Sequence, residues 1–190
     1  MASAPAPPLL LASTSPRRRE ILEQLRIPFD IVAPQYEETE DDPVAHALGK
    51  ARSVLGEADG RPVLGCDTEV ILDGRIYGKP AGPEEAEEML ESLAGRTHEV
   101  VSGLALITPA WEDVRHEVTR VSFRGLTPRD IAWYVASGEW EGRAGGYAIQ
   151  GRGAALVGRV EGDYLNVVGL PVALLVRVLT ERFPGTYGFG

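Results

Sequence analysis

The chain has 190 residues and a formal net charge of −9 at pH 7, and 44% of its residues are hydrophobic. These values are typical of a globular protein with a full core, and the negative charge disfavours nucleic acid and membrane surfaces as partners. No apolar run reaches the roughly 20 residues that span a bilayer. Residues 1–8, rich in alanine and proline, are expected to be a disordered lead-in, and residues 9–190 one domain. The single cysteine, Cys66, cannot form an internal disulfide, which favours the cytoplasm.

Apolar spacing and turn residues predict a chain of alternating strands and helices. The predicted strands cover residues 9–12, 29–33, 62–66, 68–72, 99–108, 114–123 and 154–160. Four of the predicted helices begin at Pro16, Asp42-Pro43, Thr127-Pro128 and Leu170, and a fifth has Glu84 and Glu85 in its first turn. Because hairpins and helical crossovers both occur, the sequence predicts an α/β fold with a mixed central sheet and flanking helices.

The connection between the first strand and the first helix carries two hydroxyls and three guanidiniums. Ser13 and Ser15 precede Pro16, and Arg17–Arg19 follow it. Proline suits the first position of a helix, and Ser15 is placed to cap it. Free N–H groups at such a helix start, together with arginines, suit a phosphate. A capped helix with solvated arginines is the alternative, and this segment alone leaves the two equally open.

Two carboxylates are candidates for chemistry. Asp67 follows a buried strand, a position suited to a metal ligand or a general base, although an aspartate closing a turn is the alternative. Glu38 lies in an acidic loop, where solvated charge is the default reading unless it faces Asp67. Three histidines and one cysteine offer no zinc spacing, so any metal is expected to be Mg²⁺ or Mn²⁺ held by carboxylates.

Two lysines and a glutamine are further candidates. Lys79 stands before Pro80, which extends its backbone and projects its side chain from the loop, although an ordinary surface lysine is the alternative. Lys50 lies off the apolar stripe of its predicted helix and by itself reads as an ordinary surface lysine. Gln150 lies in the glycine-rich segment 145–151, where an amide can present a donor and an acceptor to a nucleobase edge. The apolar stripe of the Lys50 helix consists of Val44, Leu48, Ala51 and Leu55.

Six short motifs occur in the order found in Maf proteins, and together they make the chain resemble that family from Leu9 to about Leu179. They are Ser13-Thr14-Ser15-Pro16-Arg17-Arg18, Gly65-Cys66-Asp67-Thr68, Gly78-Lys79-Pro80, His98-Glu99-Val100, the run from Ala144 to Gly151, and Val168-Gly169-Leu170-Pro171.

The resemblance implies a nucleoside triphosphate pyrophosphatase of the inosine-triphosphatase-like α/β fold, with a cleft between two lobes, a divalent cation and a homodimer. It implies that Asp67 accepts the proton, and that Arg17, Thr68 and Gln150 take part in substrate choice. With glutamine at position 150, the chain resembles the dTTP/UTP branch of the family. The alternatives are a pyrophosphatase for 7-methyl-GTP or other non-canonical nucleotides, and a nucleotide-binding regulator of cell division.

The expected reaction is attack of water on the α-phosphorus of a pyrimidine nucleoside triphosphate. In it, a metal held by Asp67 and Glu38 bridges phosphate oxygens. The residues expected to bind the phosphates are Ser13, Ser15, Arg17, Lys50 and Lys79.

Overall fold

The computed structural model describes residues 6–37 and 42–189. The strands are β1 (Leu9–Ala12), β2 (Phe29–Val32), β3 (Val63–Leu72), β4 (Arg75–Tyr77), β5 (Thr97–Thr108), β6 (Trp111–Phe123) and β7 (Val157–Glu161). The α-helices are α1 (Pro16–Gln24), α2 (Pro43–Ser53), α3 (Pro83–Leu93), α4 (Pro128–Val135), α5 (Tyr164–Val168) and α6 (Val172–Arg182). None of the described helices is long and apolar enough to cross a membrane.

The strands form one mixed sheet of seven strands in the order β2-β1-β3-β5-β6-β7, with β4 paired to β3. Strand β1 is parallel to both of its neighbours, β2 and β3. The β3–β4 and β6–β7 pairs are antiparallel. The predicted α/β fold with a mixed sheet is therefore confirmed.

The contacts divide the chain into two compact units. The first comprises Met1–Asp67, Ser102–Glu117 and Gly169–Gly190, and the second Thr68–Val101 and Val118–Val168. Strands β3, β5 and β6 contribute residues to both units. That residues 9–190 act as one domain stays a prediction.

The core of the first unit forms around β1. All four residues of this strand are buried, as expected for an apolar strand that lies between two parallel neighbours. Helix α2 packs closely against β3 at Gly65. A Cβ atom at this position would lie 2.1 Å from the carbonyl oxygen of Ala47 in α2. The absence of a side chain at Gly65 therefore lets α2 approach the strand that carries Asp67.

The core of the second unit includes α3 and α4. Helix α3 buries the four residues that the spacing predicts, Ala86, Met89, Leu90 and Leu93. Helix α4 begins with the predicted capping box, in which the Thr127 hydroxyl accepts from the Asp130 N–H and the Asp130 carboxylate accepts from the Thr127 N–H.

Several predicted boundaries differ from the structure, and strands β5 and β6 begin at Thr97 and Trp111, before the predicted starts. Helix α2 ends at Ser53, and Leu55 begins a short 3₁₀ turn. Helix α5 was not predicted, and the last helix begins at Val172 instead of Leu170. The last strand begins at Val157, since residues 151–155 form a 3₁₀ turn.

Glu139 stabilises that turn, because its Oε2 accepts hydrogen bonds from two consecutive backbone amides, those of Arg152 at 2.8 Å and Gly153 at 3.3 Å.

Candidate active site

The first helix starts where the sequence predicts, but without the predicted capping bond. Ser15 occupies the N-cap position and Pro16 follows it, yet the Ser15 side chain makes no capping hydrogen bond in the described structure. Instead, the Ser15 N–H donates to the Ser13 hydroxyl oxygen at 3.2 Å. This hydrogen bond therefore lies in the short connection between β1 and α1.

The three arginines after Pro16 have different surroundings. Arg18 donates from Nη1 to the Ser13 Oγ at 3.2 Å and from Nε to the Gly169 carbonyl at 2.8 Å. Arg17 also lies near Gly169, where an added Cβ would be 3.9 Å from its Nε. Arg19 is half-exposed and lies 3.8 Å from Glu23, one helical turn away. The sequence could not distinguish these three residues.

The sequence pattern predicts Asp67 at the end of a strand. In the structure it lies in the middle of β3. Residues 62–66 and 68–72 were predicted as two strands, because the aspartate interrupts the apolar pattern. The parallel neighbour β1 pairs with β3 only as far as Gly65, opposite Ala12. Asp67 therefore lies two residues beyond the last β1 pairing, in a strand that continues past it.

The Asp67 carboxylate is ionised although it is only 13% exposed. Burial by itself would raise the pKa of Asp67, but the positive charge and hydrogen bond of Lys50 outweigh that effect and hold the pKa below its ordinary value. The charge of Arg18 and a hydrogen bond from His46 lower this pKa further. The carboxylate is therefore a fixed negative charge at neutral pH.

Helix α2 supplies two direct partners of this carboxylate. The Lys50 Nζ lies 2.5 Å from Asp67 Oδ1, and the His46 Nδ1 lies 3.3 Å from Asp67 Oδ2. The reading of Lys50 as a surface residue is wrong, since its side chain is only 12% exposed. Its part in phosphate binding stays a prediction.

His46 was not among the predicted site residues, because the apolar spacing placed the buried face of α2 incorrectly. The buried residues of the helix are Pro43, His46, Ala47 and Ala51, whereas Val44 and Leu48 are only half-buried. The available signal was the four-residue spacing of His46 and Lys50, which puts both side chains on one face.

The second unit carries three of the predicted site residues. Thr68 is half-buried on β3, while Lys79 and Gln150 are exposed. The Gly145 N–H donates to the Gly78 carbonyl at 3.0 Å, so the loop of Lys79 lies beside the start of the glycine-rich segment. Gln150 precedes the 3₁₀ turn at the end of this segment. Glu38, predicted as a metal ligand, lies outside the described residues.

Fold and side chains together define an α/β protein in which an ionised, buried aspartate lies among cationic groups. Comparison with known proteins is consistent with this class. The model of the family described as "Maf-like protein" matches residues 8–182. The chain belongs to the Maf-like family.

Curated relatives match over most of their length. The dTTP/UTP pyrophosphatase of Symbiobacterium thermophilum is 48% identical over 180 residues, covering 91% of this chain and 93% of the relative. The protein of that name from Gloeobacter violaceus is also 48% identical, covering 91% of this chain and 95% of the relative. The one from Deinococcus radiodurans is 43% identical and covers 100% of both chains.

Proposed function

We propose that this chain is a nucleoside triphosphate pyrophosphatase that hydrolyses dTTP and UTP to the nucleoside monophosphate and pyrophosphate. Relatives with this name match almost the whole chain at 43% to 48% identity. The structural observation that carries the proposal is the ionised Asp67, on a strand adjacent to β1, which leads into the arginines of α1. The reaction needs two kinds of group at one site: cationic groups that bind the anionic substrate, and a group that accepts a proton.

Asp67 is the proposed acceptor of the proton from the water that attacks the α-phosphorus. It can accept a proton only when it is ionised, and Lys50 and His46 keep it so at neutral pH. Its lowered pKa makes it a weaker base than a free aspartate. Rate enhancement then depends on holding the carboxylate in the correct orientation to the water.

The phosphates of the substrate are proposed to bind Arg17, Lys79 and the segment of Ser13 and Ser15. Arg17 can bind phosphate oxygens through two N–H groups at once, and the start of α1 adds the positive end of the helix dipole. Lys50 shares its charge between Asp67 and a bound phosphate. These cationic groups would stabilise the charge that develops on the leaving pyrophosphate.

A divalent cation fits the donor set in part. Asp67 offers an ionised carboxylate oxygen and would hold Mg²⁺ or Mn²⁺, with Glu38 as the proposed second ligand. Both oxygens of Asp67 have partners on α2, Lys50 on Oδ1 and His46 on Oδ2, so a bound ion would share the carboxylate with them. When bound, such an ion would neutralise phosphate charge and lower the pKa of a coordinated water.

The choice of base is assigned to Gln150 and Thr68. A glutamine amide can accept from N3–H of uracil or thymine and donate to a neighbouring carbonyl. A site built from such hydrogen bonds rejects the wrong base strongly, because that base leaves polar groups unpaired.

Localisation in the cytoplasm and assembly as a homodimer are part of the same proposal, and light scattering in solution tests the dimer.

The test is pyrophosphate release from UTP, dTTP, ATP, GTP and 7-methyl-GTP, with Mg²⁺ or Mn²⁺ present. We expect UTP and dTTP to have the highest kcat/KM. A higher kcat/KM for 7-methyl-GTP would contradict the assigned base specificity. Tight binding of nucleotides without pyrophosphate release would instead support a nucleotide-binding regulator.

A further inference from the structure

Each oxygen of Asp67 has its own partner on α2. Lys50 reaches Oδ1 and His46 reaches Oδ2, at 2.5 Å and 3.3 Å. The two partners are four residues apart, so they extend from adjacent turns of one helix. Two contacts to two oxygens restrict rotation of the carboxylate about its Cβ–Cγ bond, which a contact to a single oxygen would not do.

The direction of the His46 contact follows from the charge of Asp67. An ionised carboxylate has only acceptor sites. The imidazole nitrogen that faces it, Nδ1, must therefore carry the hydrogen and donate. His46 thus acts here as a hydrogen-bond donor through Nδ1, a role that an asparagine amide nitrogen can imitate.

The imidazole itself is held in place by Tyr36. His46 is 4% exposed, and the Tyr36 ring lies edge-on to it with the ring centroids 6.0 Å apart. Tyr36 lies over Gly49, where an added Cβ would be 2.1 Å from its Cε2 atom. A larger residue at position 49 would thus displace the ring that packs beside His46.

We propose that His46 is a positioning residue, whose Nδ1–H fixes Asp67 Oδ2 and so aims the carboxylate at the attacking water. This inference rests on the role of Asp67 in the proposed function. It predicts an effect of His46 on the chemical step and little effect on substrate binding, because His46 is placed against Asp67 and not against the phosphates.

The kinetic test compares His46→Leu with His46→Asn, and uses His116→Leu on β6 as the matched control. We expect His46→Leu to lower kcat for UTP about 10- to 100-fold with KM changed by less than about 3-fold. His46→Asn should recover most of kcat, and His116→Leu should match the wild type. Equal loss in the Leu and Asn variants at similar melting temperatures would overturn the proposal, as would wild-type kcat in His46→Leu.

A second measurement needs no turnover. Nitrogen-15 NMR of the histidine rings, with His46 assigned from the His46→Asn and His116→Leu spectra, reports which ring nitrogen carries hydrogen. We expect a hydrogen on Nδ1 of His46, and a ring protonated only on Nε2 would overturn the proposal. If the wild type released no pyrophosphate, the proposed function would fail, while this spectrum would still decide the donor contact.

Discussion

For single residues, the positive charges of Lys50 and Arg18 stabilise the ionised Asp67 carboxylate. Replacing one partner of a buried ion pair typically costs about 3–5 kcal/mol, because the other charge is left buried without compensation. Lys50 and Asp67 are such a pair, since each side chain is nearly nine-tenths buried. The same pair keeps the carboxylate ionised, so stability and chemistry depend on one contact.

Asp67→Asn should keep the fold, lower the melting temperature and reduce kcat for UTP by about 10²–10⁴. Asparagine retains an oxygen near Lys50 but cannot accept the proton of the attacking water as a carboxylate does. Asp59→Asn is the matched control, because Asp59 is exposed and its φ of 49° is one that asparagine tolerates. Near-wild-type turnover in a folded Asp67→Asn protein would mean that the chemistry lies elsewhere.

Arg17→Ala should lower kcat/KM for UTP about 10- to 150-fold, the value of one lost charge-assisted contact, with little change in melting temperature. Arg19→Ala removes the same charge two positions away, from a half-exposed side chain near Glu23, and should leave kcat/KM close to wild type. Steady-state kinetics of the two variants separate a phosphate ligand from general positive charge. Equal losses in both would remove Arg17 from the site.

At the scale of elements, hydrophobic spacing predicted those helices whose buried face is uniformly apolar. Helix α3 is the clearest case, because all four of its buried residues are apolar and regularly spaced. Helix α2 was predicted at the correct place in the chain, but its buried face was predicted incorrectly. That face contains a histidine, and the adjoining buried residues are small alanines. Spacing alone cannot show that a polar residue is buried because it contacts a carboxylate on a strand distant in sequence.

The glycine-rich segment shows the same limit. Its glycines were recognised as permitting close contacts, and both Gly145 and Gly146 have positive φ values, of 70° and 68°. The 3₁₀ turn that follows depends on Glu139, a residue outside the segment. Short sequence motifs predicted the site residues, whereas the contacts of these residues are seen only in the folded structure.

Gln150→Glu should lower kcat/KM for UTP and dTTP more than for GTP, because an ionised glutamate can only accept hydrogen bonds and cannot donate to a pyrimidine carbonyl. Gln24→Glu, at the exposed end of α1, makes the same chemical change elsewhere and should preserve the substrate ranking. Competition assays with paired nucleotides measure the ranking directly. An unchanged ranking in Gln150→Glu would contradict the proposed base contact.

At the scale of the whole molecule, stability should depend on a second buried histidine. His98 is 1% exposed, and its Nε2 lies 2.8 Å from the Tyr147 hydroxyl. Burial lowers the pKa of His98 from 6.5 to about 4. In the unfolded chain this residue binds a proton near pH 6.5, whereas in the folded protein it does so only near pH 4.

The folded state should therefore lose stability as the pH falls from 6.5 towards 4. The expected loss from His98 is roughly 3 kcal/mol in the free energy of unfolding. Urea unfolding at pH 7.5 and pH 5 should show about 2 kcal/mol of this loss, because pH 5 lies about 1.5 units below 6.5. His98→Gln is the reference, because glutamine does not titrate. If the difference between the wild type and His98→Gln were the same at both pH values, the pKa of His98 would not be lowered.

In the proposed reaction, water attacks the α-phosphorus of a pyrimidine nucleoside triphosphate at the site of Asp67. The sharpest test is hydrolysis of UTP in ¹⁸O-labelled water, followed by mass spectrometry of both products. We expect the label in UMP and none in the pyrophosphate. Label in pyrophosphate, or release of orthophosphate with UDP, would show that water attacks another phosphorus.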